Sequence, residues 1–333
     1  MTGAVVSIDV HNHVIPESVL RLLRDDAAYS TTFDHDRIAI PGAPPFVLQA
    51  SFSDPDAKLR ELDANGLDAA VISIVPFLFF YQLDRVAADL ISRATNNGLH
   101  TFAAAAPDRF RWMAHVPLAA PLMAANVLEE AARMGAAGVE IGSNVAGRRL
   151  DDAEFEPFWA AAEREQLPVM IHPAYNEEHS GLDRYYLQNV IGNLLETTIA
   201  VERLICSGTL DHHPGLRILL VHGGGYFPYQ AGRLRHAATV RSELRGCPSD
   251  PWAYRGRVLV DTITHDSQAL AYLVSRMGPE NVLLGSDLPF DMAVANPAAD
   301  LAYSVDGEAL RLITHANASR LYRFATAEEP SGT

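Results

Sequence analysis

Two histidines stand one residue apart in SIDVHNHVIP, residues 7 to 16. In an extended segment, residues i and i+2 project to one side, so His11 and His13 can face a common point. Paired neutral imidazoles can hold a divalent metal ion. In a chain with 13 histidines the same pair could equally be two packed core rings. Three further residues able to bind or activate at a metal close apolar runs elsewhere: His172 in LPVMIHP, His222 in RILLVHGGG and Asp287 in NVLLGSDLP. If one fold gathers these run ends, their imidazoles and carboxylate can share a divalent ion, with the division between ligand and proton carrier left open. His222, with an intrinsic pKa near neutrality, suits a ligand, a proton carrier or a core ring alike. Asp9, in the same run as the pair, reads as a supporting carboxylate lying deeper in the fold than His11 and His13.

The elements that must position these residues are legible as an alternation. Eight short apolar runs occur: 5–11, 68–75, 111–118, 136–142, 167–172, 217–222, 257–263 and 281–287. Between them lie stretches with helical character: Asp54 to Asn65, Asp84 to Ala106, Pro121 to Met134, Ala153 to Gln166, Asn189 to Leu210 and Asp266 to Met277. Asp and Pro at their starts, and Gly66, Gly135 and Gly278 at their ends, suit helix termini. Eight strands alternating with helices predict an α/β fold, a single (β/α)8 TIM barrel over residues 1–325, with a doubly wound open sheet as the competitor. The loaded run ends favour the barrel, because its eight carboxyl ends surround one mouth whereas an open sheet scatters them. Residues 15–53 form an insertion after the first strand, rich in turn formers (IPGAPP), and are a candidate lid. Residues 326–333, TAEEPSGT, read as a disordered tail.

Composition excludes several classes of function. A net charge of −15 disfavours nucleic acid and anionic membrane as partners. No apolar run approaches the roughly 20 residues that span a bilayer. The two cysteines, Cys206 and Cys247, form no C-x-x-C pair and imply neither a disulfide framework nor a thiolate metal site. With no basic leader ahead of the first apolar run, a cytoplasmic location is expected. GGG at 223–225 lacks the companions of a phosphate cradle and reads as tight backbone beside the site.

The pattern H-x-H after the first strand, His after the fifth and sixth, and Asp after the eighth resembles the amidohydrolase superfamily. HGGGYFPYQAGRLRH, with ETT (196–198) upstream and GSDLPF downstream, is similar to the amidohydrolase-2 branch that contains aminocarboxymuconate-semialdehyde decarboxylase and related metal-dependent non-oxidative decarboxylases. The resemblance extends from IDVHNHVIP to THANASRLYRF. It implies a divalent ion, zinc or alternatively manganese, held by His11, His13, His172 and Asp287, with His222 as the catalytic base and Asp287 sharing in the catalytic set. It implies a homodimer or larger homo-oligomer in which Arg233 reaches the neighbouring site to grip a substrate carboxylate. The substrate so implied is a small aromatic or unsaturated carboxylic acid, with a hydrolase of C–C, lactone or amide bonds as the alternative on the same site. His265 also fits the pattern, in a structural capacity. Tyr175, Tyr185 and Tyr186 follow His172, where aromatics could flank a planar substrate; Tyr175 and Tyr186 are the substrate-contact candidates. Two departures point away from aminocarboxymuconate semialdehyde itself: 46–55 holds no arginine where the prototype has one, and the prototype's pocket tryptophan falls near Asn189.

Overall fold

The computed structural model describes residues 7–174, 179–248 and 250–324, so the tail at 326–333 lies outside the described residues. Eight strands follow the sequence order: β1 Ile8–Val14, β2 Ala69–Ile74, β3 Phe110–His115, β4 Gly138–Gly142, β5 Val169–His172, β6 Ile218–Leu220, β7 Val258–Asp261 and β8 Val282–Leu283. Each pairs in parallel with the next. The two ends meet, since Val10 donates its N–H to the Leu284 carbonyl at 2.9 Å and His13 to that of Leu288 at 2.8 Å. The sheet is therefore a closed (β/α)8 barrel, and an open sheet is ruled out.

Helices α1 Glu17–Asp25, α2 Pro55–Ala64, α3 Arg85–Ala104, α4 Pro121–Arg133, α5 Glu156–Arg164, α6 Leu194–Cys206, α7 Thr209–His212, α8 Phe227–Val240 and α9 Ser267–Met277 surround it. The expected starts are real caps. Asp54, Asp84 and Asp266 accept hydrogen bonds from first-turn amides that have no partner within the helix.

Strand residues divide between two apolar layers. Ala70, Ile72, Ala114, Val139, Ile141 and their equivalents pack outward beneath the helices. Ile8, Val10, Val71, Met113, Met170, Leu219 and Leu259 plug the amino-terminal half of the barrel interior. β1 departs from simple alternation. Asp9 pairs with Ala70 and Asn12 with Ile72, so two residues, Val10 and His11, face the single residue Val71. This bulge reverses the parity of the strand. Val10 therefore joins the apolar plug while His11 and His13 both face inward above it. Asp9 accordingly does not lie deeper on the same side, as the spacing suggested. It is on the outward side with Asn12, and accepts hydrogen bonds from Asn12 Nδ2 (2.9 Å), the Ser286 amide (3.0 Å) and Ser286 Oγ (2.5 Å). Its role is to fasten β1 to the segment that carries Asp287.

The insertion contains α1 and a three-stranded antiparallel sheet, Thr32–Asp34, Arg37–Ala39 and Phe46–Val47. Phe46 and Phe52 pack against Phe290, whose ring lies 5.4 Å from that of His13.

Candidate metal centre

At the carboxyl end of the barrel, one ligand atom from each of His11, His13, His172 and Asp287 lies within 4.8 Å of all the others. His11 Nε2 is 3.1 Å from His13 Nε2, and Asp287 Oδ1 lies 3.4 Å and 3.2 Å from those two nitrogens. The opposite ring nitrogens are spoken for. His11 Nδ1 donates to Asp261 Oδ2 (2.8 Å), His13 Nδ1 to the Ile74 carbonyl (3.1 Å) and His172 Nδ1 to the Pro173 carbonyl (2.6 Å). A carbonyl or carboxylate at Nδ1 fixes the tautomer that leaves a lone pair on Nε2. His172 Nε2 and Asp287 Oδ1 are meanwhile buried without a hydrogen-bond partner. Buried polar atoms rarely go unsatisfied, so convergent orphans with lone pairs directed together fit a divalent cation.

Charge at the site is arranged to match. Burial lowers the pKa of His13 to about 4 and drives that of His172 well below its usual value, so both rings are neutral. Burial also opposes charge on His11, but the carboxylates of Asp287, Asp261 and Asp9 outweigh it and raise its pKa to about 9. For Asp287, burial is overcome by His11, His13 and His222, which hold its carboxyl well below the usual range.

His222 sits beside this group, with Nε2 3.6 Å from Asp287 Oδ2. Its φ of 55° and that of Asp287, 66°, lie in the left-handed region that non-glycine residues rarely occupy. Asp261 holds the turn at His222: besides His11, it accepts the amides of His222 (3.0 Å) and Gly223 (2.7 Å). The glycines that follow serve close packing, as expected. A Cβ on Gly225 would stand 2.3 Å from the Leu194 carbonyl, and Thr198 of the ETT stretch accepts the Tyr226 amide at 2.8 Å.

A cavity of about 540 Å³ opens beside His222 and Asp287, bounded by α8, α9 and the turn Gln188–Asn193 ahead of α6. Asn189 lines it, and Tyr186 and His172 line a narrower pocket that shares His222 and Asp287 with it. Tyr185 is 79 % exposed, and Tyr175 lies outside the described residues. His265 is exposed at the cavity edge with φ 54°. Arg233 is exposed on α8 one turn beyond Tyr229, a cavity-lining residue, and is not itself part of the lining.

Asp261 was not among the candidate residues: it stands two positions inside the end of the seventh run, RVLVDTI, yet closes strand β7 just as His172 closes β5. Sequence reasoning also passed over Glu140, a fully buried carboxyl 4.0 Å from His13 Nδ1 whose pKa burial pushes well above the usual range. Position at a strand end is not a sufficient signal, as His115 demonstrates. It closes β3, but its ring stacks on Phe79 and it stands outside the metal group.

Fold and site together define a single-barrel protein with a divalent-metal centre of three imidazoles and one carboxylate at the strand ends. The family model described as Amidohydrolase matches residues 8–324, and the chain belongs to that family. It is 30 % identical over 302 residues to 2-amino-3-carboxymuconate-6-semialdehyde decarboxylase of Dictyostelium discoideum, covering 88 % of this chain and 84 % of the relative. The crystal structure of 5-carboxyvanillate decarboxylase from Sphingomonas paucimobilis superposes with a TM-score of 0.82 at 25 % identity, covering 96 % of this chain and 100 % of that one. Dihydroxybenzoic acid decarboxylase from Polaromonas sp. JS666, solved with bound manganese and 2-nitroresorcinol, shares the fold with a TM-score of 0.76 at 23 % identity, over 96 % and 97 % of the two chains.

Proposed function

We infer that this protein is a metal-dependent, non-oxidative decarboxylase of a small aromatic or unsaturated carboxylic acid. The observation that carries the reading is the junction of the metal-ligand group with a largely apolar cavity at His222 and Asp287. The decarboxylase relatives support it.

His11, His13, His172 and Asp287 would hold the ion, which supplies Lewis acidity toward substrate oxygen. Three imidazoles and one carboxylate suit zinc and also accept manganese. His222 acts as the proton carrier. As an imidazolium it delivers a proton to the carbon bearing the carboxylate, the new C–H bond drawing on the substrate's π electrons. The C–C bond to the carboxylate then breaks, its electron pair restores the π system, and CO2 leaves without a redox cofactor. Asp287, whose Oδ2 lies 3.6 Å from His222 Nε2, aims the ring. Phe46, Phe52 and Phe290 exclude water on the His13 side, which is the sense in which the insertion is a lid.

Arg233 is assigned to a neighbouring copy's site, because it is exposed and takes no part in lining its own cavity, and guanidinium pairs bidentately with carboxylate. The protein would then work as a homodimer or larger homo-oligomer. Among the described residues no helix is long and apolar enough to cross a membrane. The free thiols of Cys206 and Cys247 suit the reducing cytoplasm, where we place the protein.

The test is CO2 release by metal-loaded protein from a panel of hydroxybenzoic and dienoic acids, with metal content measured in parallel. Turnover of lactones or amides without CO2 from any acid would make it a hydrolase. Mixing Arg233→Ala and His222→Ala chains, with subunit exchange verified, should restore part of the activity; inactive hybrids would remove Arg233 from the shared site.

A further inference from the structure

The cavity wall discriminates among acids. Its surface beyond His222 and Asp287 is built largely from apolar groups, among them Val190, Leu194, Ile263, Leu273 and Met292. No Lys or Arg belongs to that lining among the described residues. A second carboxylate pressed against these side chains would lose its hydration without gaining a counter-charge, which is costly.

One group in the wall asks for a specific partner. Asn193 is only 5 % exposed and its Oδ1 is buried with no hydrogen-bond partner. It ends the Gln188–Asn193 turn, where the helix is widened to the π form, a distortion frequent at functional sites. The residue borders both the main cavity and the narrow pocket beside His172 and Tyr186, so it adjoins the space a substrate ring would occupy. An amide oxygen in that position accepts from O–H and repels a carboxylate oxygen.

Resting on the decarboxylase reading above, we propose that Asn193 is the specificity-determining residue. It accepts a hydrogen bond from a phenolic hydroxyl, and the cavity takes an aromatic monocarboxylic acid whose remaining substituents are apolar. The wall that this chain supplies offers a second carboxylate no cation, and the neighbouring copy's Arg233 is taken up by the reacting carboxylate, so a dicarboxylic acid is disfavoured.

The experiment compares a hydroxybenzoic acid, its methyl ether and a benzenedicarboxylic acid on the metal-loaded full-length protein. It adds binding of a nitrophenol and its methyl ether as unreactive probes. The wild type should favour the hydroxy compound of each pair by about 10–100-fold, the expected cost of leaving a buried acceptor unpaired. Asn193→Ala and the near-isosteric Asn193→Leu should shrink that ratio to about threefold or less by weakening the hydroxy compound alone, with metal content unchanged. An unaltered ratio in a variant that keeps its metal would overturn the assignment, as would a wild-type preference for the dicarboxylic acid. Absence of CO2 from every acid would count against the decarboxylase reading only. The nitrophenol pair would still decide the role of Asn193.

Discussion

The two halves of the barrel interior are built from the same strands and differ by one step of two residues. On β2, β3, β5 and β7 the inward residues of the lower level are Val71, Met113, Met170 and Leu259, all buried. One step toward the carboxyl end they become Ser73, His115, His172 and Asp261, equally buried. The lower level is filled by dispersion contacts that need no orientation, and its side chains are interchangeable within limits of volume. The upper level consists of groups whose lone pairs and protons must each be matched. Stability and chemistry are thus separated along the barrel axis, and substitutions at the two levels should fail in different ways.

The separation would break most visibly at His222. His222→Ala should lower turnover by about 10²–10⁴-fold while the protein keeps most of its metal, as measured by single-turnover CO2 release alongside elemental analysis. Metal loss matching that of His11→Ala would instead make His222 a ligand. A smaller effect is expected at Asp261, which touches His11 but is not in the metal group. Asp261→Asn should weaken metal affinity by about 10–100-fold in competitive chelator titrations, and an unchanged affinity would reduce the carboxylate to a turn-former.

Proton competition sharpens the same contrast. With its pKa raised to about 9 in the metal-free site, His11 is protonated at neutral pH and must lose that proton to bind metal. Affinity should therefore rise about tenfold per pH unit below 9 and level off above it. Calorimetry in buffers of differing ionisation enthalpy should detect about one proton released per ion at pH 7. Affinity independent of pH between 6 and 9 would refute this. The smallest effect on the site belongs to the lower level: Leu219→Ala should cost about 2–5 kcal/mol of stability by leaving a cavity, yet leave metal affinity of the folded protein within about twofold. Denaturant unfolding and chelator titration of the one variant check both halves of that statement.

Much of this was legible in the chain. The eight runs and the caps at Asp54, Asp84 and Asp266 carry local physics that the sequence states outright. The cluster was readable because His11, His13, His172, His222 and Asp287 stand at the ends of buried runs, where a polar residue has no packing rationale; the division into four ligands and a proton carrier came from the family resemblance. Asp261 stands two positions inside the end of its run, and a carboxylate that orients a ligand looks no different in sequence from one that is a ligand. His115, likewise inside its run, proved to be a core ring beside Phe79.

The sequence by itself therefore determined the alternation of elements, the side-chain chemistry available at each strand end and the lack of positive charge for polyanionic partners. Those properties depend on residue type and on separations of a few positions. Tertiary structure alone decided that the sheet closes through Leu284 and Leu288 onto β1. It also decided that a bulge at Val10 and His11 turns Asp9 outward, and that Asn193 borders the cavity with an unpaired oxygen. Each of these rests on contacts between segments far apart in the chain, where a one-residue slip in register reverses the face a side chain presents and no local signal records the choice.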